Sequence, residues 1–237
     1  MKLLTAQIKQ AGYSKEAPYL QDIQFEVHSG ELIGLIGANG AGKSTTIKTI
    51  LGLMEYTEGE TIFNEGIKYS YVPERPIFYD ELTLWEHLDF IAAVEELSDQ
   101  EYRKQAERLL EIYKLADYAH DYPHTYSKGM QQKAMLVLSM IINPSLYIID
   151  EPFIGLDPNA TRLFLESVEK ERQKGAGILM STHVLDTAEK VCDRFIIINK
   201  GRVAASGTMD EIRQKCGLPG GSLFDCFHKY SEEHEND

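Results

Sequence analysis

The chain has 237 residues, with 24 Lys and Arg against 37 Asp and Glu, and a formal net charge of -13. Hydrophobic residues make up 43% and charged residues 26%; that is globular composition and excludes bulk disorder, while the acidity argues against a nucleic-acid partner by repelling phosphate backbones. The three cysteines, Cys192, Cys216 and Cys226, lack the paired spacing of a disulfide framework or zinc site and fit a reducing compartment.

In chain order, residues 2–7 and 23–27 alternate between apolar and polar, as half-buried strands do. The opening MKLLTAQIKQ has no apolar core of signal-peptide length. Leu32–Ile36 is a short apolar run ending in glycine, which predicts a buried strand, and a helix is expected over about 43–53. Residues 60–72 read as one or two strands around a turn at Asn64 to Gly66. Near Pro73 the pattern changes. Thr83 with Glu86 and Ser98 with Glu101 both have capping-box form, in which hydroxyl and carboxylate satisfy each other's orphan N–H groups. Helices are predicted over about 84–96, 99–115 and 127–142.

Strands return after Pro144, at 146–149 and 178–181. Between them Asp157 and Pro158 form a strong helix start, with the helix ending near Gly175. Residues 195–199 and 202–205 flank Lys200 and Gly201 as a hairpin, and Thr208 with Glu211 opens a short last helix. The tail from Ser231, SEEHEND, is expected to fray. The longest apolar stretch, 134–149, is broken by Asn143 and Pro144 and is too short to span a bilayer. The fold class expected is α/β with a largely parallel sheet. Residues 1–75 and 144–215 make its core, 76–143 form an all-helical insertion, and 216–237 are an extension with no interpretable motif.

Residues 37–45 read Gly-Ala-Asn-Gly-Ala-Gly-Lys-Ser-Thr, the spacing G-x-x-x-x-G-K-[ST] between a strand and a helix. Phosphate oxygens need many donors at close range. Gly37, Gly40 and Gly42 let the backbone curl so that N–H groups from Asn39 through Ala41 face one anion, and the helix N-terminus adds partial positive charge. Lys43 would bridge the β- and γ-phosphates, Ser44 would bind Mg²⁺, and Thr45 would support the α-phosphate. About 100 residues on, an apolar strand delivers Asp150 and Glu151 at its C-terminal end, where open parallel sheets place ligands. Asp150 is expected at Mg²⁺ and Glu151 at the attacking water. Two further pieces are Ser181-Thr182-His183, which would put His183 beside the γ-phosphate, and Tyr126-Ser127-Lys128-Gly129-Met130-Gln131-Gln132, which opens a helix as a second anion site inside the insertion.

With these motifs in order, residues 2–215 resemble the ATP-binding cassette (ABC) ATPases. GANGAGKST looks like Walker A, LYIIDE like Walker B, YSKGMQQ like the signature, Gly155-Leu156-Asp157 like the D-loop and His183 like the switch histidine. The combination is similar to export-type cassettes and, among them, to Ecs-type transporters of Gram-positive bacteria. The resemblance implies a RecA-like P-loop core with an N-terminal antiparallel β portion, ATP and Mg²⁺ as ligands, and ATP hydrolysis. It implies a homodimer or paired cassette, head to tail, with Ser127 and the Gly129 N–H on the partner's γ-phosphate. Tyr13 lies 24 residues before Gly37, as the family's adenine-stacking aromatic does; stacking there is worth ~1–3 kcal/mol, and the alternative is an ordinary surface turn. Glu74 stands where the family usually has a Gln that binds Mg²⁺, so it either tightens coordination or points away. Lys128 replaces a usual glycine and either faces the partner's nucleotide or lies on a solvated helix start.

The resemblance also implies a membrane transporter subunit docking on 76–90, where Phe78 and Tyr79 are the expected contacts and Trp85 and Leu88 the insertion's own core. The protein would then lie peripherally on the inner face of the cell membrane. Two other functions compete. A soluble ABC protein of DNA repair or translation usually adds coiled coils, zinc modules or a second cassette, none of which is visible here. A nucleotide sensor without turnover does not need both Glu151 and His183.

Overall fold

A computed structural model describes residues 1–233. Strands β1 (Lys2–Gly12), β2 (Leu20–His28) and β4 (Tyr56–Phe63) form an antiparallel sheet in the order β2-β1-β4. A six-stranded sheet runs β5-β6-β7-β3-β8-β9. It is built from β3 (Leu32–Ile36), β5 (Tyr69–Val72), β6 (Leu146–Asp150), β7 (Gly177–Thr182), β8 (Arg194–Asn199) and β9 (Arg202–Gly207). All its pairs are parallel except the β8–β9 hairpin. That hairpin turns at Lys200 and Gly201, both at positive φ, the two-residue turn whose twist matches the strands it joins. The expected 60–72 region is two strands in two different sheets, so the turn there is a crossover between layers.

The large sheet is apolar on both faces, as covered parallel strands must be. Leu146, Ile148, Leu179, Ile196 and Ile198 face the small sheet and α1 (Lys43–Ile50). Tyr147, Ile149, Ile178 and Met180 face the other way. There they meet α5 (Pro158–Gln173), with Phe164 fully buried, and the block of α2 (Leu84–Val94), α3 (Asp99–Ile112) and α4 (Lys128–Met140). The period-2 alternation of each strand therefore assigns its residues to two separate cores.

Thr83 and Glu86 make the expected capping box, and so do Thr208 and Glu211 at α7 (Met209–Cys216). Ser98 does not: the Glu101 N–H bonds the Ser98 carbonyl at 3.1 Å, so the hydroxyl has no donor to cap. Two helices escape the sequence reading, α6 (Leu185–Val191) and α8 (Leu223–Glu233). Helix α8 packs Leu223, Cys226 and Tyr230 against α7, α6 and β8 in a third core. Ser231, where fraying was expected, continues that helix; the end of the acidic tail lies outside the described residues. No helix among the described residues is long and apolar enough to cross a membrane.

Candidate functional site

Strand register brings the motifs together. Ile36 pairs with Thr182, and Asp150 pairs with Ser181. The residues that follow these strand ends, Gly37, Glu151 and His183, therefore emerge along one edge of the sheet, where the strand order reverses around β3. Gly37 leaves β3 so close to β8 that a Cβ would lie 2.7 Å from the Ile198 carbonyl oxygen. Gly42 takes φ 117 as the N-cap of α1, a conformation that turns the loop into the helix and that side chains resist.

A pocket of about 280 Å³ opens over this edge, lined by Asn39, Gly40, Gly42, Lys43, Ser44, Thr45, Glu74, Glu151, Ile154 and His183. Lys43 is 5% exposed. Its ammonium donates to the Gly37 oxygen at 2.8 Å and the Ala38 oxygen at 3.2 Å, and lies 3.1 Å from Glu151 Oε1. That last contact is ionic rather than a directed hydrogen bond. Glu151 Oε2 lies 2.8 Å from His183 Nδ1 and accepts from the His183 N–H at 3.3 Å. Lys43, Glu151 and His183 thus form one charged relay from a buried cation to an imidazole with its side chain 45% exposed.

Asp150 is buried below the pocket and accepts a short hydrogen bond from the Ser181 hydroxyl. Glu74 is exposed at the rim. Ser44, Asp150 and Glu74 offer only hydroxyl and carboxylate oxygens, the donors a hard cation takes. Among the described residues no cluster of three or more His, Cys, Asp or Glu is poised to hold a metal alone.

Gly37 and Ala41 belong to the loop behind the lining, and Tyr13, Ser127 and Gly129 lie away from the pocket. Tyr13 is 64% exposed. Ser127 is exposed, and its Oγ accepts from the Met130 N–H at 3.3 Å as the N-cap of α4, which leaves its proton for an outside acceptor. Gly129 abuts the 155 loop: a Cβ there would sit 3.0 Å from the Gly155 oxygen. Lys128 is exposed beside them. Tyr19 is a residue the sequence reading missed. Its hydroxyl donates to the Gly40 carbonyl and its ring lies against Gly42, so it braces the loop from outside. Only its position at the end of a loop leading into β2 marked it, and that signal is weak.

A second feature lies at the insertion. Ile77, Tyr79 and Phe90 are exposed at an apolar groove of about 440 Å³ that Phe78, Ile91 and Met135 also line. Buried His87 shapes its wall: Nε2 accepts from the Tyr79 N–H at 2.9 Å while Nδ1 faces the Thr83 oxygen at 2.8 Å. Phe78, an expected contact residue, is half-buried edge-on to His87. Trp85, expected in the core, is also half-buried, with Arg103 5.8 Å over its ring. Leu88 is fully buried as expected.

The ABC transporter family model matches residues 20–154. An ABC transporter ATP-binding protein of Bacillus subtilis, YthP, is 52% identical over 96% of both chains. The ABC-type transporter ATP-binding protein EcsA of the same organism is 40% identical over 98% of both. A solved ATP-binding subunit of an ABC transporter superposes with TM-score 0.90 at 44% identity, covering 96% of this chain and 99% of that one. A nucleotide-free ATP-binding cassette at 23% identity and TM-score 0.75 shares the fold.

The chain belongs to the ABC transporter ATP-binding proteins and is an ATPase subunit of that family. Such subunits bind ATP and work as dimers with membrane partner subunits. The expected Ecs kinship is one of family: YthP stands nearer to this chain than EcsA does.

Proposed function

We propose that this chain drives an exporter by ATP-dependent head-to-tail pairing of two cassettes, from the cytoplasmic side of the membrane. The observation that carries the reading is the Lys43–Glu151–His183 relay, its first two members buried, at the mouth of a glycine loop. Lys43 is held by two carbonyls of its own loop and by Glu151. A triphosphate offers it stronger acceptors, since charge-assisted bonds to phosphate exceed those to neutral carbonyls. Moving Lys43 onto the β- and γ-phosphates releases Glu151 Oε1. That carboxylate then accepts a proton from water, while His183 holds the other oxygen in place. Ser44 and Asp150, with Glu74 at the rim, would hold Mg²⁺, which supplies charge neutralisation on the phosphates. The backbone N–H groups of 39–45 bind and orient the anion, and Tyr13 stacks on the base from its exposed position.

One chain covers one side of such a site. Ser127, exposed as the N-cap of α4, and Gly129, half-buried against the 155 loop, would close a partner's site. Pairing excludes water and completes the phosphate shell. Loss of the γ-phosphate then removes the contact that joins the chains. We place the division of the chain at 1–75 with 144–215 as nucleotide core, 76–143 as the moving helical part and 216–237 as an extension. The groove at Ile77, Tyr79 and Phe90 would receive a segment of the membrane subunit. Export as the direction rests on likeness to export-type cassettes.

The test is Glu151→Gln, which keeps shape and removes the base. With Mg-ATP this variant should lose turnover and run as a dimer by light scattering, returning to monomer when nucleotide is removed. A variant that stays monomeric across micromolar concentrations overturns the pairing, and one that turns over at the wild-type rate overturns the role of Glu151.

A further inference from the structure

Ser181 is fully buried at the end of β7 and has no place in the relay described above. Its hydroxyl nonetheless touches both acidic residues of β6. It donates to Asp150 Oδ1 and accepts from the Glu151 N–H at 3.0 Å. The same N–H also reaches the Ser181 carbonyl at 3.2 Å. Glu151 has φ 50, the left-handed region where a residue with a Cβ rarely rests. Such a conformation persists only where its surroundings hold it. At Glu151 both acceptors of the strained peptide's N–H belong to Ser181.

Strand pairing does not require this hydroxyl. The backbone ladder between β6 and β7 runs from Leu146 with Gly177 to Asp150 with Ser181 irrespective of side chain. A hydroxyl carries one donor and two acceptor sites, which is what a side chain needs to bond a carboxylate on one side and an N–H on the other. Alanine supplies neither, and would leave Asp150 Oδ1 buried without this donor.

We infer that Ser181 is a positioning residue of the ATPase site. Its hydroxyl aims Asp150 and holds Glu151 in the left-handed turn that brings the Glu151 carboxylate to Lys43 and His183. The inference rests on the proposed roles of Asp150 and Glu151 and adds the group that sets both at once. Removing an outer partner of this kind typically costs about 10- to 100-fold in metal affinity or activity.

The experiment compares Ser181→Ala, Ser181→Thr and Ser181→Val. Alanine should lower kcat by on the order of tenfold or more, raise the Mg²⁺ concentration for half-maximal rate, and leave KM for ATP within about twofold. The second readout needs neither metal nor nucleotide: amide hydrogen exchange at residue 151 should speed up by about tenfold while Ile148 and Leu179 keep their protection. Threonine keeps the hydroxyl and should restore both readouts. Valine fills the same space without it and should behave as alanine does, which also settles the matter if the alanine variant folds poorly. Wild-type kcat and residue-151 exchange in the alanine variant, or valine equal to threonine, overturns the inference. Failure of the underlying reading looks different: Glu151→Gln would then hydrolyse ATP normally, whatever Ser181 does.

Discussion

Replacing Lys43 by Met deletes one charge and keeps the buried stem, so its effect can be worked from the relay alone. Lys43 and Glu151 are 5% and 4% exposed, and their charged atoms lie 3.1 Å apart. Removing one partner of a buried pair costs about 3–5 kcal/mol, because the other charge is left uncompensated. Here His183 still contacts Glu151 Oε2 at 2.8 Å, so the lower end, about 3 kcal/mol, applies. For a chain of this size each kcal/mol moves Tm by about 2–4 °C, which gives a fall of about 6–12 °C in the nucleotide-free protein. Glu151→Gln should cost less, about 1–2 kcal/mol, since Lys43 keeps its bonds to the Gly37 and Ala38 carbonyls. The double variant should be more stable than the sum of the two losses predicts, by about 2 kcal/mol, because it leaves no lone buried charge. Thermal unfolding of the four proteins without nucleotide measures this cycle. A Lys43→Met protein that melts within 2 °C of wild type, or strictly additive losses, would refute the reasoning that the relay is a compensated buried pair.

Three further outcomes follow from the same geometry. Mg-ATP at about 100 times its Kd should stabilise the wild type by ~2.7 kcal/mol, and Lys43→Met should erase most of the Tm rise relative to its own lower baseline. Glu86 accepts from the backbone N–H and the hydroxyl of Thr83, and this holds its carboxyl below the ordinary 4.5. A depressed folded value means stability that is complete above pH 4.5 and lost as pH falls through the folded value. The Tm gap between wild type and Glu86→Gln should therefore shrink on acidification below pH 4.5, and a gap that widens contradicts it. Ile77→Ser, Tyr79→Ser and Phe90→Ser together remove exposed apolar groups. They should abolish co-purification with the cognate membrane subunit while ATPase activity of the isolated chain stays within about twofold; unchanged co-purification speaks against docking there.

Helix ends with paired side-chain signals were legible in advance where local chemistry decides them. Thr83 with Glu86, Asp157 with Pro158, and Thr208 with Glu211 all cap as read. Ser98 had the same letters and failed, because its own carbonyl took the N–H that its hydroxyl needed. Helix α8 was missed although Leu223, Cys226, Phe227 and Tyr230 follow helical spacing. Its signal is short, and the surface that covers its face, made by α6, α7 and β8, is remote in the chain.

The glycine loop, Lys43, the adjacent carboxylates and His183 could be picked out from sequence because each needs particular residue types at fixed local spacing. What the chain alone left undecided was how these pieces meet. Strand order and register decide that: they set Thr182 beside Ile36 and Ser181 beside Asp150, and so join the buried Lys43–Glu151 pair to His183 from three separate segments of the chain. The role of Ser181 and the bracing by Tyr19 belong to the same category. Each rests on a hydrogen bond across distant strands or loops, and a bond of that kind leaves no period and no spacing in the sequence.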